Sequence, residues 1–377
     1  MSNQPGSSTA AQPDRPADAD PGVAGGPPAG DTVTGPADGA LTRPAGDTTA
    51  GPAAKAGPEP AEDAPGDIEP TTGGTVWAPG APVLALVAAG WLAAMLWSTR
   101  QAIESAAAGV TALSLSAFAL PGVISAALVA GTAVALATTD LVARRGADRA
   151  TLRFLVAIGT GLLVGLVTAV AINLTYPDNA TTNTIAGTSA AAAIIGGALA
   201  GARTAAPVGA VVAATLGTLV FVVAFSRARD PLFDLFGADG TQAGMVAAAR
   251  WVSRTESLLA GLLAGLIAFG YLSWARRRAA RRDPAAPALR WPAYLLAGAG
   301  PGLLLLLAEL IIRVGGRRLL DLAAALSDAD AVAQTSMGAS RMDNAIWVLF
   351  VGALTALIAF GRTLGPTQQE DEEPADR

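Results

Sequence analysis

Cysteine and histidine are both absent from this chain. Without them there are no disulfides, no thiolate chemistry and no metal sites built on Cys or His ligands. Imidazole proton relays and Ser-His-Asp catalysis are excluded for the same reason. A metal would need an all-oxygen site, and no carboxylates cluster in the manner of an EF-hand loop. The chain also lacks a phosphate-binding Walker motif, a dinucleotide fingerprint and a nucleophile elbow. No catalytic residue, cofactor or metal is therefore expected, and the chain reads as a non-enzyme. Charge is scarce too. Only 15% of the 377 residues are Asp, Glu, Lys or Arg, while 52% are apolar; a soluble domain usually carries about 25% charged residues. Long apolar blocks with few charges are the composition of a membrane protein.

The few charges are unevenly placed. Residues 1–75 hold 11 acids and 3 bases, and residues 363–377 hold 5 acids and 1 base, which leaves a net +7 on residues 76–362. The only lysine is Lys55, so every base of the apolar part is an arginine. Abundant Ala, Gly, Pro and Arg with almost no Lys suggests a GC-rich bacterial genome. Residues 1–78 are rich in Pro, Gly, Ala, Asp and Thr and nearly free of large apolar side chains. Such a segment cannot bury enough surface to offset its ordering entropy, so a disordered acidic cytoplasmic tail is expected. It has no basic region followed by an apolar stretch, unlike a signal peptide. Residues 363–377 read as a second, short acidic cytoplasmic tail.

Between the tails lie eight apolar stretches: 81–98, 117–138, 154–173, 185–202, 206–226, 257–274, 292–312 and 344–361. About 20 apolar residues cross the hydrocarbon core as a helix. The expected fold class is an all-α polytopic bundle of about eight transmembrane helices occupying 79–362. The Ala- and Gly-rich fourth stretch is the weakest by composition; without it the count would be seven and every later loop would change side.

Arginine sets the orientation. The connection 139–153 carries Arg144, Arg145, Arg149 and Arg153; the connection 275–291 carries Arg276, Arg277, Arg278, Arg281, Arg282 and Arg290; the short turn near 203–205 carries Arg203. Eight spans put these three connections and both termini on one side, expected to be cytoplasmic in a multi-pass plasma-membrane protein. Beside a helix end, the run 276–282 suits anionic lipid rather than nucleic acid. The two longest connections on the other side, 227–256 and 313–343, each contain a possible short amphipathic helix, near 231–236 and 317–326.

Those two connections open an internal repeat. Leu232-Phe233-Asp234-Leu235 is matched by Leu319-Leu320-Asp321-Leu322. Nineteen residues after each aspartate stands Ser-Arg-X-acid: Ser253, Arg254 and Glu256, then Ser340, Arg341 and Asp343. Each copy ends in Leu-Ile-Ala-Phe-Gly, at 266–270 and 357–361. Ser-X-X-acid has the spacing of a helix-starting box, so these serines are expected to cap membrane helices at the outer interface. Arg254 and Arg341 are left over; each has the aspartate of its own loop (Asp234 or Asp321) or outer lipid head groups as candidate partners. Arg254, Glu256, Arg341 and Asp343 thus form the candidate outer-face site.

Two further signals lie inside the bundle. Small residues recur four apart in five spans (Gly161 and Gly165, Gly197 and Gly201, Gly209 and Gly217 through Ala213, Gly261 and Gly265, Gly298 and Gly302). In lipid, close backbone approach over small residues drives helix association. Gly300-Pro301-Gly302, near the middle of the seventh span, predicts a kink or break, a device that transporters use at substrate sites. Glu309 is the best intramembrane carboxylate, with Arg313 one turn on as an i,i+4 partner. Pro301 and Glu309 are therefore the intramembrane candidates.

Few polar groups near the midplane, long outer connections and long tails favour a non-enzymatic interaction or assembly component of the bacterial cell envelope. Its expected partners are the lipid bilayer and other membrane or envelope proteins, not nucleic acid. The alternative is a transporter for a small or amphiphilic solute.

Overall fold

A computed structural model describes residues 78–104, 110–146, 149–175, 180–202, 204–237, 241–284, 289–326 and 328–363. Among these residues the chain is helical with no strand. The helices are α1 (Ala81–Glu104), α2 (Val110–Arg144), α3 (Ala150–Thr175), α4 (Ala180–Ala202), α5 (Ala205–Ser226), α6 (Arg229–Leu235), α7 (Gln242–Arg282), α8 (Trp291–Gly315), α9 (Arg317–Leu326) and α10 (Asp328–Gly361). Eight of them are long and apolar enough to cross a membrane; α6 and α9 are not. The Ala/Gly-rich fourth stretch is one of the eight, so the shape is that of an eight-span helical membrane protein. Residues 1–77 and 364–377, Arg203, and Asp239 of the connection 227–256 lie outside the described residues.

Helix α2 is the most deeply buried span and the axis of the first half. Against it pack α1, α3, α4, α5 and α8, around Leu120, Ile124, Leu128 and Leu136. Small residues make this possible. Backbone of α4 rides on α2 at Gly131 and Gly196, and on α3 at Gly161 and Gly197. A Cβ added to Gly197 would stand 2.8 Å from the Cα of Gly161. The recurrent small residues thus serve contacts within the chain.

The second half packs α5, α7, α8 and α10 around Ala210, Ala264, Leu272 and Tyr294. Tyr294 lies between Phe269 and Phe360, with ring centroids 5.9 and 4.6 Å away. Helices α5 and α8 belong to both halves and hold them together.

Five buried threonines of the bundle are satisfied locally. Thr132, Thr139, Thr168, Thr215 and Thr218 each donate to the carbonyl four residues back. This is how a hydroxyl survives in a helix away from water.

The two ends of the bundle differ. One carries the α2–α3, α4–α5 and α7–α8 connections together with the start of α1. There Tyr271 Oη donates to Pro79 O at 2.8 Å, and Gly80 turns with φ +77° against the Trp274 ring. The other end carries α6 and α9, and here the structure corrects the expected loops. Most of 227–256 and 313–343 is helix: α7 begins at Gln242 and α10 at Asp328. Helix-forming Ala-rich sequence carries both spans past the apolar stretch. At 1.5 Å per residue, the 41 residues of α7 and 34 of α10 extend about 61 and 51 Å, against a hydrocarbon core of about 30 Å.

Candidate functional site

Close packing of α8 on α10 creates the first charged cluster. Gly302 of α8 lies against the Leu349 backbone, and Gly298 against Gly352. This antiparallel contact brings Glu309 level with Gly338 and Arg341; a Cβ on Gly338 would lie 3.5 Å from Glu309 Oε1. The Glu309 side chain is 5% exposed. Its Oε1 accepts from Arg313 Nε at 3.1 Å and its Oε2 from Arg341 Nε at 3.0 Å. The i,i+4 partner on α8 is thus joined by a second arginine from α10. One carboxylate fastens two helices, with both oxygens engaged.

The second cluster fastens α6 to α7. Glu256 is buried on α7, and its Oε2 accepts from Arg229 Nη2 at 3.1 Å. Phe236, just after α6, stacks on Trp251 of α7 with ring centroids 6.5 Å apart. Arg254 lies over the other arm of this group, 5.6 Å from the Trp251 ring centre. A third buried carboxylate, Asp140, accepts from Arg144 one turn on at 2.7 Å. Sequence reasoning passed over it, although the i,i+4 Asp-Arg spacing was visible.

The four outer-face candidates therefore do not form one site. Glu256 and Arg254 belong to the α6–α7 contact. Arg341 belongs with Glu309, and Asp343 is exposed on α10. Corresponding positions of the two repeat copies have divided the work differently: the acid is buried and paired in one, and the half-buried arginine is paired in the other. The expected partner of Arg341, Asp321, instead faces Arg317 at 3.8 Å on the exposed face of α9. Sequence offers no measure of which helix lies across from Arg341.

One other expectation is overturned and a second, the kink or break in α8, is narrowed. Ser253 and Ser340 do not start helices; both lie well inside α7 and α10. Helix α7 is capped at Thr241, whose Oγ1 accepts from Gly244 N at 3.0 Å. Nor does Gly300-Pro301-Gly302 break α8, which is helical from Trp291 to Gly315. All three residues are buried. Gly300 meets Val211 of α5 and Gly302 meets α10, so the glycines serve close packing.

Chemically, each buried carboxylate among the described residues is neutralised by arginine. No group of three or more His, Cys, Asp or Glu able to hold a metal occurs among them. The arrangement suits fastening helices and presenting a surface. No protein-family model matches the chain, and neither the curated proteins nor the solved structures offer a match.

Proposed function

We propose that the chain is a non-enzymatic interaction or assembly component of a bacterial cell envelope, with the α6–α9 end as its docking face. The observation that carries this reading is the length of α7 and α10, which outlast the hydrocarbon core on that side. Beyond the apolar stretches 257–274 and 344–361, their extensions leave Met245, Val246, Trp251, Val332 and Met337 exposed. Exposed apolar groups clustered outside lipid mark contact surfaces. Trp251, flanked by Arg254 and stacked on Phe236, has the side-chain types that anchor protein interfaces. The buried ion pairs at Glu256 and Glu309 support a firm platform beneath.

On this reading the arginine-rich connections 139–153 and 275–291 are cytoplasmic, both termini are on the same side, and the docking face is external in the plasma membrane. The transporter alternative has less behind it: α8 is unbroken, and Glu309 is engaged by two arginines.

The test is crosslinking and capture from native membranes with the full chain. Trp251→Glu with Met245→Glu should abolish specific capture, whereas Pro301→Leu should leave it intact. The reverse pattern would sink the docking proposal and favour the transporter.

A further inference from the structure

A lipid-facing trough runs along α8 on the side away from α10. At the α6–α9 end a cavity of about 600 Å³ lies between α4 and α8; toward the other end a cavity of about 690 Å³ lies among α2, α4, α5 and α8. Leu307 and Leu310 line both, so the two lie end to end along α8. Between Ala293 and Gly315, which mark the ends, α8 advances about 33 Å, close to the depth of the hydrocarbon core. Leu199, Leu296, Leu303 and Leu310 remain exposed along the trough, so it opens laterally.

Its polarity is one-sided. The α6–α9 end offers Asn183, Thr184 and Arg318, while the rest is walled mainly by Leu, Val and Ala. No lining residue is acidic, and Arg318 is the only charged one. Of the three arginines at this turn, Arg313 is paired with Glu309 and Arg317 with Asp321. Arg318 has no carboxylate partner among the described residues and is exposed at the mouth. An apolar trough ending at a cation that has no carboxylate partner among the described residues is complementary to an acidic amphiphile.

We infer that this trough is a binding site for a phospholipid with an acidic headgroup, seated with its phosphate at Arg318 and its acyl chains along Leu310 and Leu307. A helical hole keeps the site open: a Cβ at Gly187, which lines the trough, would meet nothing within 4 Å. A side chain there starts into open space and projects toward the trough lining.

The test titrates the full chain in neutral detergent with dioleoyl phosphatidylglycerol or dioleoyl phosphatidylcholine, reading bound lipid by native mass spectrometry. One basic side chain near an anionic headgroup corresponds to about a fivefold preference for the acidic lipid. Arg318→Gln should remove that preference. Gly187→Leu should weaken both lipids by a similar factor while the melting temperature holds. Equal affinity of the wild type for both lipids, a preference that survives Arg318→Gln, or unchanged binding in Gly187→Leu would each overturn the assignment.

Discussion

The pairing of Glu309 with Arg341 makes a quantitative prediction about what holds α8 to α10. Glu309→Gln removes the charge that two arginines share. Removing one partner of a fully buried ion pair costs about 3–5 kcal/mol. Here the arginines are only partly enclosed: the side chains of Arg341 and Arg313 are 32% and 52% exposed, and water or lipid phosphate can take over part of their solvation. The expected loss is therefore lower, about 1.5–2.5 kcal/mol. The two arginines should contribute unequally. Arg313 shares a helix with Glu309, and exposed i,i+4 pairs are worth about 0.3–0.5 kcal/mol. Arg341 comes from another helix and is more enclosed, so its coupling to Glu309 should be about 1–1.5 kcal/mol. Two double-mutant cycles measure this: Glu309→Gln with Arg341→Met, and Glu309→Gln with Arg313→Met. Each is followed by reversible unfolding in mixed micelles. If coupling to Arg341 is no larger than coupling to Arg313, the carboxylate does not tie α10 to α8.

Other outcomes follow from the same geometry. Gly197→Leu drives atoms into the α3 backbone at Gly161 and should lower stability by about 1–3 kcal/mol or more; a melt indistinguishable from wild type would remove the close contact from the account. Arg229→Gln leaves Glu256 without its partner, so amide exchange across 229–235 should rise while 260–270 stays protected. Thr241→Ala should cost about 1 kcal/mol at the start of α7, visible as faster exchange at 244–246; no change there would mean that the helix begins elsewhere. A reporter fused after Ala205 should read cytoplasmic and one after Gly237 external, with the opposite pair of signals rejecting the proposed orientation.

The spans were legible because the membrane imposes a coarse code. Only helices of about 20 apolar residues satisfy their backbone in lipid, so each of the eight stretches announced itself by composition, down to the Ala/Gly-rich α4. Helix ends were less legible. Once lipid ends, a helix continues or stops according to local propensity and capping, and a plausible box at Ser253 did not compete with Ala-rich sequence running back to Thr241. At Gly300-Pro301-Gly302 the chain carried the ingredients of a break, yet Val211 and Leu349 pack against those glycines and the helix continues through them.

What the sequence settled by itself is therefore what depends on neighbours along the chain: eight apolar spans, and a carboxylate with an arginine one turn away at Glu309. What tertiary structure alone decided is which helices face one another. Arg341 meets Glu309 across 32 positions, and Arg229 meets Glu256 across 27. The first depends on how closely glycines let α8 and α10 approach, the second on how α6 folds back onto α7. Those are properties of pairs of helices, and no single helix encodes them.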